Sequence, residues 1–336
     1  MTLSLFRRLA TAAKLSLLST SALALQAGLT PMEVSATTGG APSTTVALYY
    51  PTQAAARAVT MGPYTLDVAI RGEPEAHVKG LILLSHGTGG SELGHSSLAE
   101  GLARSGYLVA ALRHPGDNWQ DTSLLTERAA SYFDERPLQA SRVIDALLRD
   151  PHWAGRIASD AHGPRVGAVG HSAGGYTVLA LAGARADLGR IATHCQANAA
   201  ADPIFCGVAK LPSAAAGQGA DVTDHRVRAV VAMSPVGVPL TADSLATIKL
   251  PVTVYVAELD RWLVPKFHTD WIASQLAGAE IRRVPNAWHF AFMDKPKFPL
   301  PTADGDVGAD PAGFDRAAFL TQLAEQLPLF FDQAWR

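Results

Sequence analysis

Gly170-His171-Ser172-Ala173-Gly174 places a serine between two glycines. The apolar run Val166 to Val169 precedes it, and the helical pattern Tyr176 to Ala182 follows. A sharp strand-to-helix turn holds a serine at strained backbone angles, and flanking glycines remove the side chains that would collide there. A hydroxyl held this way becomes a nucleophile only with a base beside it. The pentapeptide therefore predicts acyl-transfer chemistry at Ser172, with a histidine and an acid supplied from later in the chain.

Asp260 follows the strand-like run Val252 to Ala257, in Glu258-Leu259-Asp260-Arg261, and His289 follows Glu280 to Val284, in Asn286-Ala287-Trp288-His289-Phe290. Both loops belong at the C-terminal ends of parallel strands, where a sheet of this kind gathers its site. Of 11 histidines, His289 has the required order and position. His171 lies inside the turn, and His268 starts a helix before the last strand. Asp260 is the expected acid, with Glu258 as the alternative. Negative charge developing on a carbonyl oxygen needs two N–H donors. Ala173, next to the nucleophile, is one. Thr88 in the glycine-rich Ser85-His86-Gly87-Thr88-Gly89-Gly90 is expected to be the other. No Lys-Ser/Thr follows those glycines and their spacing is not G-x-G-x-x-G, which disfavours a phosphate loop. His86, His114, Trp119 and Trp288 lie on the same strand-end loops and are expected to contact substrate. No metal and no organic cofactor is required.

These loops need a scaffold of alternating strands and helices. Leu81 to Leu84, Tyr107 to Leu112, Val166 to Val169, Val227 to Met233 and Val252 to Ala257 read as strands buried on both faces. Helical spacing appears over Ser96 to Ser105, Leu138 to Leu148, Phe267 to Leu276 and Phe314 to Phe331. The order predicts an α/β fold: a mostly parallel central sheet with helices on both faces. Ser234 to Leu250 is too short for a large cap domain, so an open, apolar cleft is expected. Arg113 to Arg136 would form one wall, and Arg185 to Arg226 would cover a flank.

The 336 residues are 48% hydrophobic and 17% charged, with a formal net charge of -2, so a sizeable core is expected and nucleic acid is not. Arg7, Arg8 and Lys14 precede an apolar stretch from Leu15 to Ala27, the order of a secretory signal peptide and too short for a stable membrane span. The expected organisation is a signal peptide over 1–27, a flexible Pro/Thr/Gly-rich segment over 28–58 and a catalytic domain over 59–336. Export would let the two cysteines, Cys195 and Cys206, form a local disulfide in the periplasm or outside the cell.

Assembled, these residues resemble the bacterial α/β-hydrolases known as predicted dienelactone hydrolases, which are related to platelet-activating-factor acetylhydrolases. The resemblance covers roughly Tyr64 to Asp294. It rests on Ser85-His86-Gly87, Arg113-His114-Pro115-Gly116, Gly170-His171-Ser172-Ala173-Gly174-Gly175-Tyr176, Ala257-Glu258-Leu259-Asp260 and His289-Phe290-Ala291-Phe292. It implies the α/β-hydrolase fold and hydrolysis of a small-molecule ester by Ser172, Asp260 and His289. Authentic dienelactone hydrolases carry cysteine at the elbow, whereas the acetylhydrolase relatives carry serine, as here. Amide or peptide hydrolysis by the same three residues, and a non-catalytic binding module on this scaffold, are the alternatives.

Overall fold

The computed structural model describes residues 24–208 and 217–336. Ten strands form one sheet: β1 (Gln26–Val34), β2 (Thr44–Thr52), β3 (Arg57–Met61), β4 (Tyr64–Ile70), β5 (Leu81–Ser85), β6 (Leu108–Leu112), β7 (Val166–His171), β8 (Val227–Met233), β9 (Val252–Ala257) and β10 (Glu280–Val284). Their spatial order is β10-β9-β8-β7-β5-β6-β2-β1-β4-β3. The run from β10 to β6 is parallel throughout. Beyond it, β2 pairs antiparallel with both β6 and β1.

Side chains on the central strands alternate between two cores, as the two-residue period of a strand requires. Leu81, Leu83, Ala168, Val230 and Val254 face one core, together with α2 (Tyr132–Arg149) and α3 (Ala173–Leu181). Ile82, Leu84, Val169 and Val231 face the other, with α1 (Ser96–Arg104) and the C-terminal helix (Arg316–Ala334). Both faces are therefore dry, which explains why these strands read as continuous apolar runs. Among the described residues no helix is long and apolar enough to cross a membrane.

Two expectations need correction. The segment 28–58 is not a flexible lead-in: it contributes β1, β2 and part of β3 to the sheet. Val46, Leu48 and Tyr50 enter one core while Ala47 and Tyr49 enter the other, so β2 is buried on both faces. Gly28 lets Tyr50 pack across β1; a Cβ there would lie 2.2 Å from the ring. The folded domain thus begins well before residue 59. The expected signal peptide falls largely on 1–23, outside the described residues. Its boundary at Ala27 would cut into β1, where Ala27 is fully buried opposite Pro51.

The second correction concerns α2, which begins at Tyr132, six residues before the expected Leu138. Pro137 lies inside it and has no N–H for the Phe133 carbonyl. The Tyr176 hydroxyl donates to that carbonyl instead, at 3.0 Å. A helix break legible in the sequence is thus repaired from another helix.

Candidate active site

The strand ends converge as expected. Ser172 joins β7 to α3 with φ 59° and ψ −118°, a conformation that L-residues adopt only under strain. The flanking glycines are what allow it. A Cβ on Gly170 would lie 2.1 Å from the Gly174 carbonyl oxygen, and one on Gly174 would lie 1.9 Å from the Ser85 oxygen. The Ser172 N–H donates to the Met233 carbonyl at 2.9 Å, tying the turn to β8.

His289 opens a short 3₁₀ turn (His289–Phe292) after β10. Its Nδ1 donates to Asp260 Oδ2 at 2.7 Å. Asp260 is buried, and its other oxygen accepts the N–H groups of Trp262 and Leu263, each at 2.9 Å. Both carboxylate oxygens are therefore engaged, and the imidazole is left with Nε2 for proton transfer. The Trp262 ring stacks near the His289 ring, with centroids 6.1 Å apart. Glu258, the alternative acid, is exposed, and among the described residues its side chain makes no hydrogen bond to His289.

His171 has a supporting place. Its Nε2 donates to the His289 carbonyl at 2.9 Å, so it bridges the elbow to the histidine loop. Burial, then the charge of the neighbouring His289, push its pKa well below the usual histidine value, which keeps it neutral.

Across the site, the loop 86–90 presents Thr88 and Gly87 to the cavity. Neither the Thr88 N–H nor the Ala173 N–H donates to an acceptor among the described residues. For Ala173 this follows from its place in the first turn of a helix. The loop is held by residues of the expected 113–136 wall, whose role in bracing it was not legible in the sequence. Arg136 and Asp117 are completely buried and paired. Arg136 also donates to the His86 carbonyl, and its Nε to Thr177 Oγ1 at 3.2 Å. Asp117 accepts the Gly89 N–H at 2.8 Å and the Tyr132 hydroxyl at 2.6 Å. Because the Tyr132 proton goes to Asp117, its oxygen accepts from Thr88 Oγ1 at 2.7 Å. The Thr88 hydroxyl is thereby engaged, and only its N–H remains for an oxyanion. A buried Arg–Asp pair of this kind has no local pattern in the sequence: Asp117 and Arg136 are two of several charged residues in 113–136, and nothing in their spacing sets them apart.

The structure divides the four expected substrate contacts. Trp119 lines the cavity and is 63% exposed at its edge. His86, His114 and Trp288 do not line it. His86 Nδ1 donates to the Gly87 carbonyl at 2.6 Å, and its Nε2 accepts the His114 N–H at 3.1 Å. His114 is bonded to Ser85 Oγ and Gln139 Oε1, each at 2.8 Å. Burial, reinforced by the Arg136 charge, lowers the pKa of both histidines. They are neutral packing behind the loop. Trp288 covers the Arg261 guanidinium, 4.1 Å from its ring centroid.

The cavity is about 900 Å³ and its wall is largely apolar. The segment after β6 contributes Trp119 and Leu125, and the first turn of α2 adds Phe133. The helices α4 (Gly189–Asn198) and α5 (Pro203–Val208) contribute Ile191, Phe205 and Val208. The Cys195–Cys206 disulfide joins those two helices, as expected from the sequence. The flank expected over 185–226 therefore reaches the cavity wall, although 209–216 lie outside the described residues. A segment that sequence reading passed over, around the two-residue hairpin at 301–302 and 305–306, adds Phe298, Leu300 and Val307. His194, Asp202 and Cys206 lie close enough together for a metal, but the disulfide removes Cys206 as a thiolate donor.

No family model matches the chain, and no curated protein is similar enough in sequence to be matched. Solved structures do match. A ferulic acid esterase from Streptomyces cinnamoneus is similar at a TM-score of 0.62 and 19% identity, over 94% of this chain and 91% of that one. A dienelactone hydrolase from Anabaena variabilis is similar at 0.50 and 16%, over 92% and 99%. At these identities the likeness concerns the fold, and the chain has the α/β-hydrolase fold.

Proposed function

We propose that this chain is a serine hydrolase of carboxylic esters. The observation that carries this reading is the 2.7 Å His289–Asp260 bond at the cavity that also holds Ser172 on its strained turn. In this mechanism His289 Nε2 takes the proton of Ser172 Oγ as that oxygen attacks the ester carbonyl. Asp260 fixes the tautomer of His289 and stabilises its charged form. The N–H groups of Thr88 and Ala173 hold the developing oxyanion. His289 then returns the proton to the departing alcohol. Water, deprotonated by His289, attacks the acyl-Ser172 carbonyl and frees the acid. The ester function named for both structural neighbours, one directly and one as a lactone, favours this over amide cleavage. The disulfide and the lack of a membrane-spanning helix among the described residues are compatible with an exported protein.

The test is covalent labelling by a fluorophosphonate together with turnover of p-nitrophenyl esters. Wild type is expected to be labelled at Ser172 and to hydrolyse the esters. Ser172→Ala, still folded, is expected to lose labelling and fall to background turnover. Normal turnover by that variant would remove Ser172 from the mechanism.

A further inference from the structure

The cavity wall carries one guanidinium and one carboxylate among the described residues, Arg113 and Glu92, and they satisfy each other. Arg113 Nε donates to Glu92 Oε2 at 2.7 Å, and its Nη2 donates to Glu92 Oε1. The third nitrogen, Nη1, donates to Gln120 Oε1 at 3.0 Å. Trp119 lies beside the guanidinium, 5.9 Å from its ring centroid. The two-pronged fork is the arrangement by which arginine recognises a carboxylate in a ligand. Here the protein's own carboxylate fills it. Glu92 is nearly buried and lies four residues beyond Thr88 on the same loop, and Arg113 directly follows β6. The pair is therefore built into the site, not a mobile surface contact.

We propose that Glu92 sets the charge selectivity of this site: by occupying Arg113 it makes the cavity select uncharged, apolar esters, and without it the same cavity accepts esters bearing a carboxylate. The proposal rests on the ester-hydrolase reading above. Its physical basis is that a substrate carboxylate entering a largely apolar cavity loses its hydration and finds no free cation on the described wall. Glu92→Ala leaves the Arg113 fork open, with a vacant position of carboxylate shape, whereas Glu92→Gln keeps the shape and leaves the Arg113 charge without a countercharge.

The experiment compares matched esters of equal shape. p-Nitrophenyl 6-methylheptanoate is set against p-nitrophenyl hydrogen adipate, and 4-isopropylphenyl hexanoate against 4-carboxyphenyl hexanoate. Within each pair, an isopropyl group replaces a carboxylate. Wild type is expected to favour the neutral member by about 100-fold in kcat/KM. In Glu92→Ala and Glu92→Gln that preference is expected to fall by about tenfold or more for at least one pair. The double variant Glu92→Ala/Arg113→Met is expected to regain the preference, because the cation is gone.

Fluorophosphonate labelling of each variant counts the competent sites, so a fold defect is separated from a change in selectivity. Glu92→Gln is nearly isosteric and serves if the alanine variant does not fold. Wild type cleaving an anionic ester as well as its neutral partner would overturn the proposal. So would neutral preferences that stay fixed in labelled Glu92 variants. Absence of all labelling and ester turnover in wild type would instead remove the underlying hydrolase reading.

Discussion

Replacing Tyr132 by Phe deletes one oxygen and nothing else, and that oxygen links the loop 86–90, the proposed source of an oxyanion donor, to the buried Asp117–Arg136 pair. Two hydrogen bonds go: Thr88 Oγ1 to Tyr132 at 2.7 Å, and Tyr132 to Asp117 Oδ2 at 2.6 Å. The first is between neutral groups and contributes about 1 kcal/mol net, while the second, to a carboxylate, contributes about 1.5–3 kcal/mol. Asp117 keeps Arg136 and the Gly89 N–H, so its charge is not left unpaired. The expected loss of stability is therefore about 2.5–4 kcal/mol, which a domain of ordinary stability survives. The larger effect is expected on the chemical step. Removing an oxyanion donor outright costs about 10²–10³ in kcat, and freeing the Thr88 side chain loosens that donor without removing it. A fall of about tenfold in kcat, with KM changed by less than about threefold, is expected. The assay is steady-state turnover of p-nitrophenyl butyrate beside urea unfolding of the same preparations. Thr88→Val cuts the same link from its other end and is expected to show the same loss of kcat. A Tyr132→Phe protein that is less stable but turns over at the wild-type rate would show that the chain from Asp117 to Thr88 supports the fold and not the donor.

Three further outcomes are expected. Asp260→Asn is expected to lower kcat by about 10⁴-fold because it permits the wrong tautomer of His289, while exposed Glu258→Gln changes kcat little; steady-state kinetics of both variants checks the ranking, and the reverse order would move the acid to Glu258. Burial raises the Asp294 pKa to about 6, so the folded state holds this proton more tightly than the unfolded chain does. Wild type therefore loses stability relative to Asp294→Asn as pH rises from about 4 to about 6, with a constant difference above that; thermal unfolding across pH 4 to 8 reads it, and parallel profiles would refute it. Breaking the disulfide with Cys195→Ser/Cys206→Ser is expected to cost about 3 kcal/mol, from the 11-residue separation it closes. Equal urea midpoints for the variant and wild type would show that the two helices are held by packing alone.

The local sequence was enough to expect the elbow at Ser172, because a turn that brings backbone oxygens within about 2 Å of an added Cβ admits only glycine at Gly170 and Gly174. It was likewise enough to expect Asp260 and His289 after successive strands, since a parallel sheet delivers consecutive strand ends to one edge. The apolar runs of β5, β7, β8 and β9 followed from burial on both faces. Tertiary structure decided where the local signals were ambiguous or opposed. Pro, Thr and Gly in 28–58 resemble loop composition, yet β2 is an interior strand: β1 and β6 pair with both its edges and its side chains enter both cores. Pro137 marks a helix start until Tyr176 arrives from another helix to satisfy Phe133. His86, His114 and His289 are the same residue type on similar strand-end loops. Only His289 reaches the cavity, because Gln139 and Ser85 take both nitrogens of His114, and His114 with Gly87 takes those of His86. Arg136 meets Asp117 across 19 positions, and Arg113 meets Glu92 across 21. Such partners are invisible to any local pattern, because the free energy of burying a charge depends on what the fold places beside it.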